Sequence, residues 1–487
     1  MPKCPEFPGV LVYNAPLLDC DLAMDHDVLV IGSGPGGYVA AIRAAQYGLN
    51  VGVVEKDPHL GGTCLHVGCI PTKALLHFAE VYESVLHGEQ IGVLADNVSI
   101  DFKTMGKRKT EIVGKHAAGL GQLFKRHKIS TIAGYATLLG NSKVKVAGPD
   151  GERTLKAGHI VLATGSEARM LPGLDVKSGR VLTNVEVLDL EQVPGSLAVI
   201  GAGAVGVEFA SMYRSFGADV ALFEMLPRVV PLEDEEVSAG LLRAFKAKGI
   251  EVFADTAVEK IEETSSGVKL AFTDPAGYKQ TREFEKLLVA VGRKPNTENV
   301  GLENTAISTD HGFIPVNGYM ETAEMGVYAI GDIVADTPQL AHVASAEGLV
   351  AAARIAGRPV EPIDYNLNPN CTYCDPQIAS VGLSEAKARA AGWNVKVSKF
   401  PFAANSKASI LDSHAGFVKV VADEEFDEIL GVHILGPQAT ELIHEAIVAM
   451  KSEATAESMR TTIHAHPTLS EAVLDAFNGI YGQAINA

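Results

Sequence analysis

One pattern, a short apolar strand running into a glycine-rich turn and then an alanine-rich stretch, occurs twice in this chain of 487 residues. The first copy is Asp27-Val-Leu-Val-Ile-Gly32-Ser-Gly34-Pro-Gly-Gly37 and the second is Ser196-Leu-Ala-Val-Ile-Gly201-Ala-Gly203-Ala-Val-Gly206. Each continues through a further glycine (Gly48, Gly217) and a second apolar strand to an acid (Glu55, Glu224). Corresponding positions stand 169 residues apart throughout: Gly32 and Gly201, Gly48 and Gly217, Glu55 and Glu224. A single G-x-G-x-x-G is weak evidence. Two in register, each with a strand before it and an acid about 20 residues on, predict two Rossmann-like nucleotide-binding units in an α/β protein.

The chemistry of a dinucleotide explains the residue types. Gly32 and Gly201 permit the tight turn, Gly34 and Gly203 let backbone N–H groups approach a pyrophosphate, and Gly37 and Gly206 let helix and strand pack closely. The helix start adds positive potential for the phosphates. Glu55 and Glu224 are placed to accept hydrogen bonds from ribose hydroxyls. The first unit precedes a cysteine motif that must touch the resident electron carrier, so it is assigned to FAD and the second to a nicotinamide nucleotide. Glu224 would repel a 2′-phosphate, which favours NAD over NADP, although Arg228 lies close behind it.

The rest of the chain organises around these units. Residues 1–25 read as a loosely held N-terminal extension, with one basic residue and an apolar stretch broken by Pro8, Asn14 and Pro16, neither signal nor transit peptide. Residues 26–168 are expected to form the first part of the FAD-binding domain, 169–292 the NAD-binding domain and 293–362 a second, central part of the FAD-binding domain. Strand-like His159-Ile-Val-Leu-Ala-Thr164-Gly165 and Leu287-Leu-Val-Ala-Val-Gly292 carry the chain between the two. A third, Gly326-Val-Tyr-Ala-Ile-Gly331, delivers Asp332 where ligands gather in open α/β sheets. Residues 363–487 change to short alternating strands and amphipathic helices near 438–451 and 468–478, a separate α+β domain.

Bulk properties narrow the function. The formal charge of −18 disfavours nucleic acid and anionic membranes as partners. No run of roughly 18 uninterrupted apolar residues offers a membrane span. Six cysteines in so long a chain are no disulfide framework, which points to a reducing, cytoplasmic setting.

The reactive segment is Gly61-Gly62-Thr63-Cys64-Leu65-His66-Val67-Gly68-Cys69-Ile70-Pro71-Thr72-Lys73. Cysteines five apart in a regular helix have Cα atoms roughly 8–9 Å apart, whereas a disulfide takes roughly 4.4–6.8 Å. A bridge between Cys64 and Cys69 therefore requires the helix to break, and Gly61, Gly62, Gly68 and Pro71 are the residues that allow it. A pair closing an irregular loop at a helix start suits redox chemistry. Zinc is the rival reading, but it takes four ligands and only His66 is near; no metal is expected.

Glycine motif and G-G-T-C-x-x-x-G-C-I-P-T-K together resemble the pyridine nucleotide–disulfide oxidoreductase family, and within it the branch that oxidises dihydrolipoamide. The resemblance covers about residues 26–480. It implies that Cys69 sits against the flavin and Cys64 exchanges with substrate. It also implies that Lys73 lies beside the flavin and pairs with Glu208, that Asp332 bonds the ribityl chain, and that Thr63, Thr164 and Gly165 add to the FAD site and Gly292 to the NAD site. Near the C-terminus, Ile463-His464-Ala465-His466-Pro467-Thr468-Leu469-Ser470-Glu471 supplies His466 as base and Glu471 as its partner. Read without the family, Thr468-x-x-Glu471 is equally a capping box, and either histidine could be structural. The resemblance further implies a homodimer with shared active sites, and a lipoyl-bearing acyltransferase or carrier protein as partner. Reduction of another disulfide such as glutathione, and a non-catalytic flavoprotein subunit, stay open as alternatives. Cys371-Thr-Tyr-Cys374 departs from the family's usual pattern; strand spacing points its cysteines to opposite faces, as inert thiols.

Overall fold

A computed structural model of the chain describes residues 24–486, so nearly all of the expected N-terminal extension lies outside the described residues. In the first unit, β1 (His26–Ile31), α1 (Pro35–Gln46) and β2 (Val51–Glu55) form a βαβ crossover, followed by two helices, α2 (Gly62–Val67) and α3 (Cys69–Leu86). β1 is central in a seven-stranded sheet, parallel to β2 on one side and to 151–162 on the other. Val28, Leu29, Val30 and Ile31 are all buried, as expected of a parallel strand covered on both faces.

The second unit repeats this with β3 (Ser196–Ile200), α4 (Ala204–Ser215) and β4 (Asp219–Phe223) in a five-stranded parallel sheet. The repeat holds in register. Val28 pairs with Val51 and Val30 with Val53, and Leu197 pairs with Val220 and Val199 with Leu222, each partner again 169 residues on. Helix α5 (Glu235–Ala247) follows, and α6 (Ala341–Ile355) returns to pack on α1.

The C-terminal domain is a five-stranded antiparallel sheet with α7 (Ala439–Lys451) and α8 (Ser470–Gly479). Its strands alternate, but between two cores rather than between core and water. Val418, Val420 and Ile434 face α7 and α8 with Ile443 and Phe477, while Phe417 and Leu435 join the core of the second nucleotide unit with Leu241 of α5. Lys419 is buried in consequence and pairs with Asp234 (3.0 Å), Glu236 (2.9 Å) and Glu385 (3.0 Å). That cluster fastens α5 to the sheet. Among the described residues, no helix is long and apolar enough to cross a membrane.

Candidate active site

The two glycine turns are built alike. Gly32 and Gly201 both have φ of 101°, and a Cβ on either would lie 2.3 Å from a carbonyl oxygen of the neighbouring strand end, Ala163 or Ala290. A Cβ at Gly37 would lie 2.0 Å from Gly32 O, and one at Gly206 would lie 1.8 Å from Gly201 O; only glycine closes the helix onto the turn. At Gly34 and Gly203 a Cβ would meet nothing within 4 Å. These two glycines also cap α1 and α4, and neither helix start carries a side-chain cap. Uncapped N–H groups beside an open approach fit an anionic diphosphate at both turns.

Both acids end their strand buried and tied to their own turn. Glu55 Oε2 accepts from Ser33 N (2.9 Å) and Ser33 Oγ (2.6 Å), and Glu224 Oε2 from Ala202 N (2.7 Å). Their other oxygens take Asp57 N and Leu226 N, each at 2.9 Å. Each acid therefore braces its turn, a role that adds to the expected ribose contact and that the sequence spacing alone does not reveal. Arg228 turns away toward Glu235 (3.3 Å), leaving Glu224 as the charge at that position.

The cysteine segment breaks where the disulfide distance requires. Gly68, at φ −142° and ψ −117°, separates α2 from α3, and a Cβ there would be 2.9 Å from Thr63 O. Thr63 and Cys64 lie on α2, and Cys69 is the first residue of α3. Both cysteines are part-buried and unbridged, and each shifts the ionisation of the other. The contact with Cys64 lowers the Cys69 pKa, burial opposes it, and the nearby Lys73 ammonium lowers it further. Cys64 moves the other way: its bond to Cys69 and its burial hold the proton on it. The pair thus favours the proton on Cys64 and the thiolate on Cys69, at a helix N-terminus where the dipole favours the anion. His66 does not join them; its Nε2 lies 2.8 Å from Leu60 O. Among the described residues, no group of three or more His, Cys, Asp or Glu is arranged to hold a metal.

Lys73 meets Glu208 of α4, with Nζ 2.9 and 2.7 Å from its two oxygens. Burial works against the ammonium, and Glu208 more than offsets it, so its pKa rises. Tyr373, a residue that sequence reasoning passed over for the cysteines beside it, donates its N–H to Glu208 Oε1 at 2.9 Å. Its ring centroid lies 4.6 Å from Lys73 Nζ.

The remaining FAD-side residues converge at the strand ends. Thr164 Oγ1 donates to Asn296 O (2.7 Å), and Asn296 N to Gly165 O (2.9 Å). Gly165 and Gly292 both have positive φ, and a Cβ on either would meet nothing within 4 Å. Asp332 accepts from Ser166 Oγ and stands 3.6 Å from Arg293. Its turn is held by a fully buried acid that the sequence did not single out. Glu347 Oε2 accepts from Gly331 N (2.5 Å), and Oε1 accepts from the Tyr365 hydroxyl (2.9 Å). Burial pushes that carboxyl up to about 7.

The geometry separates the two histidines. His464 is buried, with Nε2 3.1 Å from Glu445 and Nδ1 3.0 Å from Thr462 O, so both nitrogens are engaged. The His466 side chain is 70% exposed, with Nδ1 2.9 Å from Glu471 Oε1. A carboxylate only accepts, so Nδ1 donates to Glu471 and Nε2 is the nitrogen left to face a substrate. The capping box forms by half: Glu471 Oε2 accepts from Thr468 N (2.9 Å), but α8 begins at Ser470 and Thr468 Oγ1 donates to Ala465 O instead. Helix α8, which follows His466, packs on the C-terminal sheet, whereas α2 packs on α3 and on the helices 102–126 and 184–188.

Cys371 packs against the core under α7 and α8, whereas Cys374 is sealed in the other core with its Sγ on Pro376 O (3.2 Å). Burial raises both thiols, Cys371 to about 11. They share no site.

Residues 26–348 match the pyridine nucleotide-disulphide oxidoreductase family, and residues 368–477 match its dimerisation domain, which supports pairing with a second copy. The chain is 44% identical over 476 residues to dihydrolipoyl dehydrogenase of Bacillus subtilis, spanning 96% of this chain and 100% of that one. It is 40% identical to the mitochondrial dihydrolipoyl dehydrogenase of Pisum sativum, over 95% and 93% of the two chains. The crystal structure of LpdA from Mycobacterium tuberculosis superposes with a TM-score of 0.86 at 26% identity, covering 93% of this chain and 99% of that one. Duplicated nucleotide turns, a broken cysteine helix and these likenesses converge: the chain belongs to the pyridine nucleotide-disulphide oxidoreductase family.

Proposed function

We propose that this enzyme oxidises dihydrolipoamide with NAD⁺, using FAD and the Cys64–Cys69 pair. The observation that carries the reading is Cys69 at the first position of α3, beside Cys64 across the break at Gly68 and one turn from the Lys73 ammonium. Relatives of that name at 40–44% identity over almost the whole chain supply the substrate.

His466 Nε2 takes the proton of one substrate thiol. The sulfur then attacks Cys64 in the oxidised pair, the Cys64–Cys69 bond breaks, and Cys69 leaves as a thiolate beside Lys73. The second substrate thiol passes its proton to the departing Cys64 as its sulfur closes the substrate disulfide, and the first proton stays on His466. The pair is left as a Cys64 thiol and a Cys69 thiolate, two electrons richer. Bound FAD supplies the two-electron relay between that pair and NAD⁺. Gly32, Gly34, Gly37, Glu55, Thr63, Thr164, Gly165 and Asp332 are the residues that would hold FAD. Gly201, Gly203, Gly206, Glu224 and Gly292 would hold NAD, and Lys73, paired with Glu208, would stand beside the flavin. Steady-state kinetics with dihydrolipoamide and each nicotinamide nucleotide test the reading. Turnover with glutathione disulfide and NADPH, and none with dihydrolipoamide and NAD⁺, would overturn it.

The site is shared between subunits, with the thiols from one chain and His466 from the other. Exposure of His466 beside Ile463, itself 96% exposed, supports this. Refolding inactive Cys69→Ser with inactive His466→Gln makes about half the dimers mixed, each with one intact site, so about a quarter of wild-type activity should return. A site confined to one chain restores nothing. The physiological partner is a lipoyl-bearing acyltransferase or carrier protein, and the setting is cytoplasmic, a reading supported by six cysteines in so long a chain being too few for a disulfide framework.

A further inference from the structure

We propose that Tyr373 is a positioning residue for the dithiol reaction, its ring and its backbone N–H holding the Lys73–Glu208 pair so that the ammonium stays on Cys69. The proposal rests on the reading of Cys69 as the flavin-side thiolate. A single residue here touches both members of an ion pair, the acid through its main chain and the base through its ring. The three groups come from three parts of the chain: Lys73 from α3, Glu208 from α4 and Tyr373 from the loop just after the strand 370–372 of the C-terminal sheet.

The physics gives each contact a task. A lysine gripped by both oxygens of a carboxylate presents little net charge to its surroundings. The Tyr373 N–H draws on one of those oxygens and leaves more of the positive charge for Cys69. The ring face attracts the ammonium and restrains a flexible four-carbon stem. The loop that presents the ring is itself fastened to α4, because Asp375 N donates to Ser211 Oγ at 3.0 Å, one turn beyond Glu208. Charged or titratable groups facing Cys69 are Cys64 from α2, Lys73 from α3, Glu208 from α4 and Tyr38 from α1. Tyr373 faces Lys73, Glu208, Cys371 and Glu441.

The test is a pH titration of the long-wavelength absorbance of Cys69 thiolate against flavin in the two-electron-reduced holoenzyme. Tyr373→Phe keeps the ring and should keep the wild-type midpoint. Tyr373→Leu should raise the midpoint by roughly half a pH unit, the size of an exposed cation–π contact. Fluorinated phenylalanines at 373 keep the shape and drain the ring face, so the midpoint should climb with each fluorine, even if the leucine variant fails to fold. A midpoint that ignores leucine and fluorine alike overturns the proposal alone. A wild-type enzyme without the band overturns the reading of Cys69 and the proposal with it.

Discussion

The two nucleotide units share one backbone, yet they are joined to the rest of the molecule differently. In the first, Ser33 stands where the second has Ala202. The Ser33 hydroxyl donates to Glu55 and accepts from Gly61 N at 3.0 Å, so turn, acid and cysteine segment form one hydrogen-bonded loop. Gly62 closes the same contact from the other side, since a Cβ on it would come within 2.7 Å of Gly34 Cα. The second turn has only the Ala202 N–H to offer Glu224; its carbonyl accepts from Val230 N at 2.8 Å, and among the described residues no side-chain hydroxyl ties this turn to the segment beyond it. A turn locked to the redox segment suits a cofactor that stays; a turn left open suits a nucleotide that comes and goes. Identical glycines set the shape of both sites, and one hydroxyl with its neighbours sets how permanently each is closed.

The largest expected effect separates the units outright. Gly32→Ala drives a methyl into Ala163 O and should yield colourless protein that retains no flavin. Gly201→Ala makes the same clash with Ala290 O and should leave a yellow protein that no longer turns over NAD⁺. Both variants losing flavin, seen by absorbance after gel filtration, would mean the units do not act separately.

Next in size is the choice of nucleotide. Glu224→Arg should reverse the preference for NAD⁺ over NADP⁺, a swing of at least tenfold in the ratio of kcat/KM, or about 1.4 kcal/mol. Because Glu224 also braces its turn, the variant should melt lower, by roughly 1–3 kcal/mol for an N–H left without its acceptor. Glu224→Gln keeps one of the two acceptors, so it should lose repulsion of the 2′-phosphate at a smaller cost in Tm than the arginine variant. An unchanged nucleotide ratio in both variants would refute the assignment.

A smaller effect tests the hydroxyl itself. Ser33→Ala makes the first turn resemble the second, and its cost should be about 1 kcal/mol of flavin affinity, close to a fivefold rise in Kd by equilibrium dialysis. An unaltered Kd would assign the closure of that site to Gly62 and the backbone alone. Smallest of all, Cys371→Ser with Cys374→Ser should leave kcat near wild type, because each thiol lies in a different core and both are held protonated. A tenfold fall in kcat would show that they work as a pair.

What was legible from residue order is local along the chain. A βαβ turn spans about 25 residues, and its glycines answer to backbone sterics that neighbours in sequence impose, so both units could be read at their true positions. The broken helix at Gly68 is local in the same way, following from the distance that two cysteines five apart must close. His466 and Glu471, five residues apart, also meet within one short segment, although the family likeness rather than the spacing chose His466 over His464.

Contacts between distant segments were decided only by the tertiary structure. Lys73 and Glu208 are 135 residues apart, and Glu208 and Tyr373 are 165 apart; the first pair was implied by likeness and the second was not anticipated. Lys419 lies on a strand that reads as half exposed, until α5 crosses its outer face and buries the lysine among three acids. Glu347 reads as an ordinary surface acid of a helix until α6 turns it inward onto Gly331. The physical reason is common to all of them. Periodicity reports which face of an element is apolar, whereas the partner for a buried charge depends on which domain closes over that face, and no spacing along the chain encodes it.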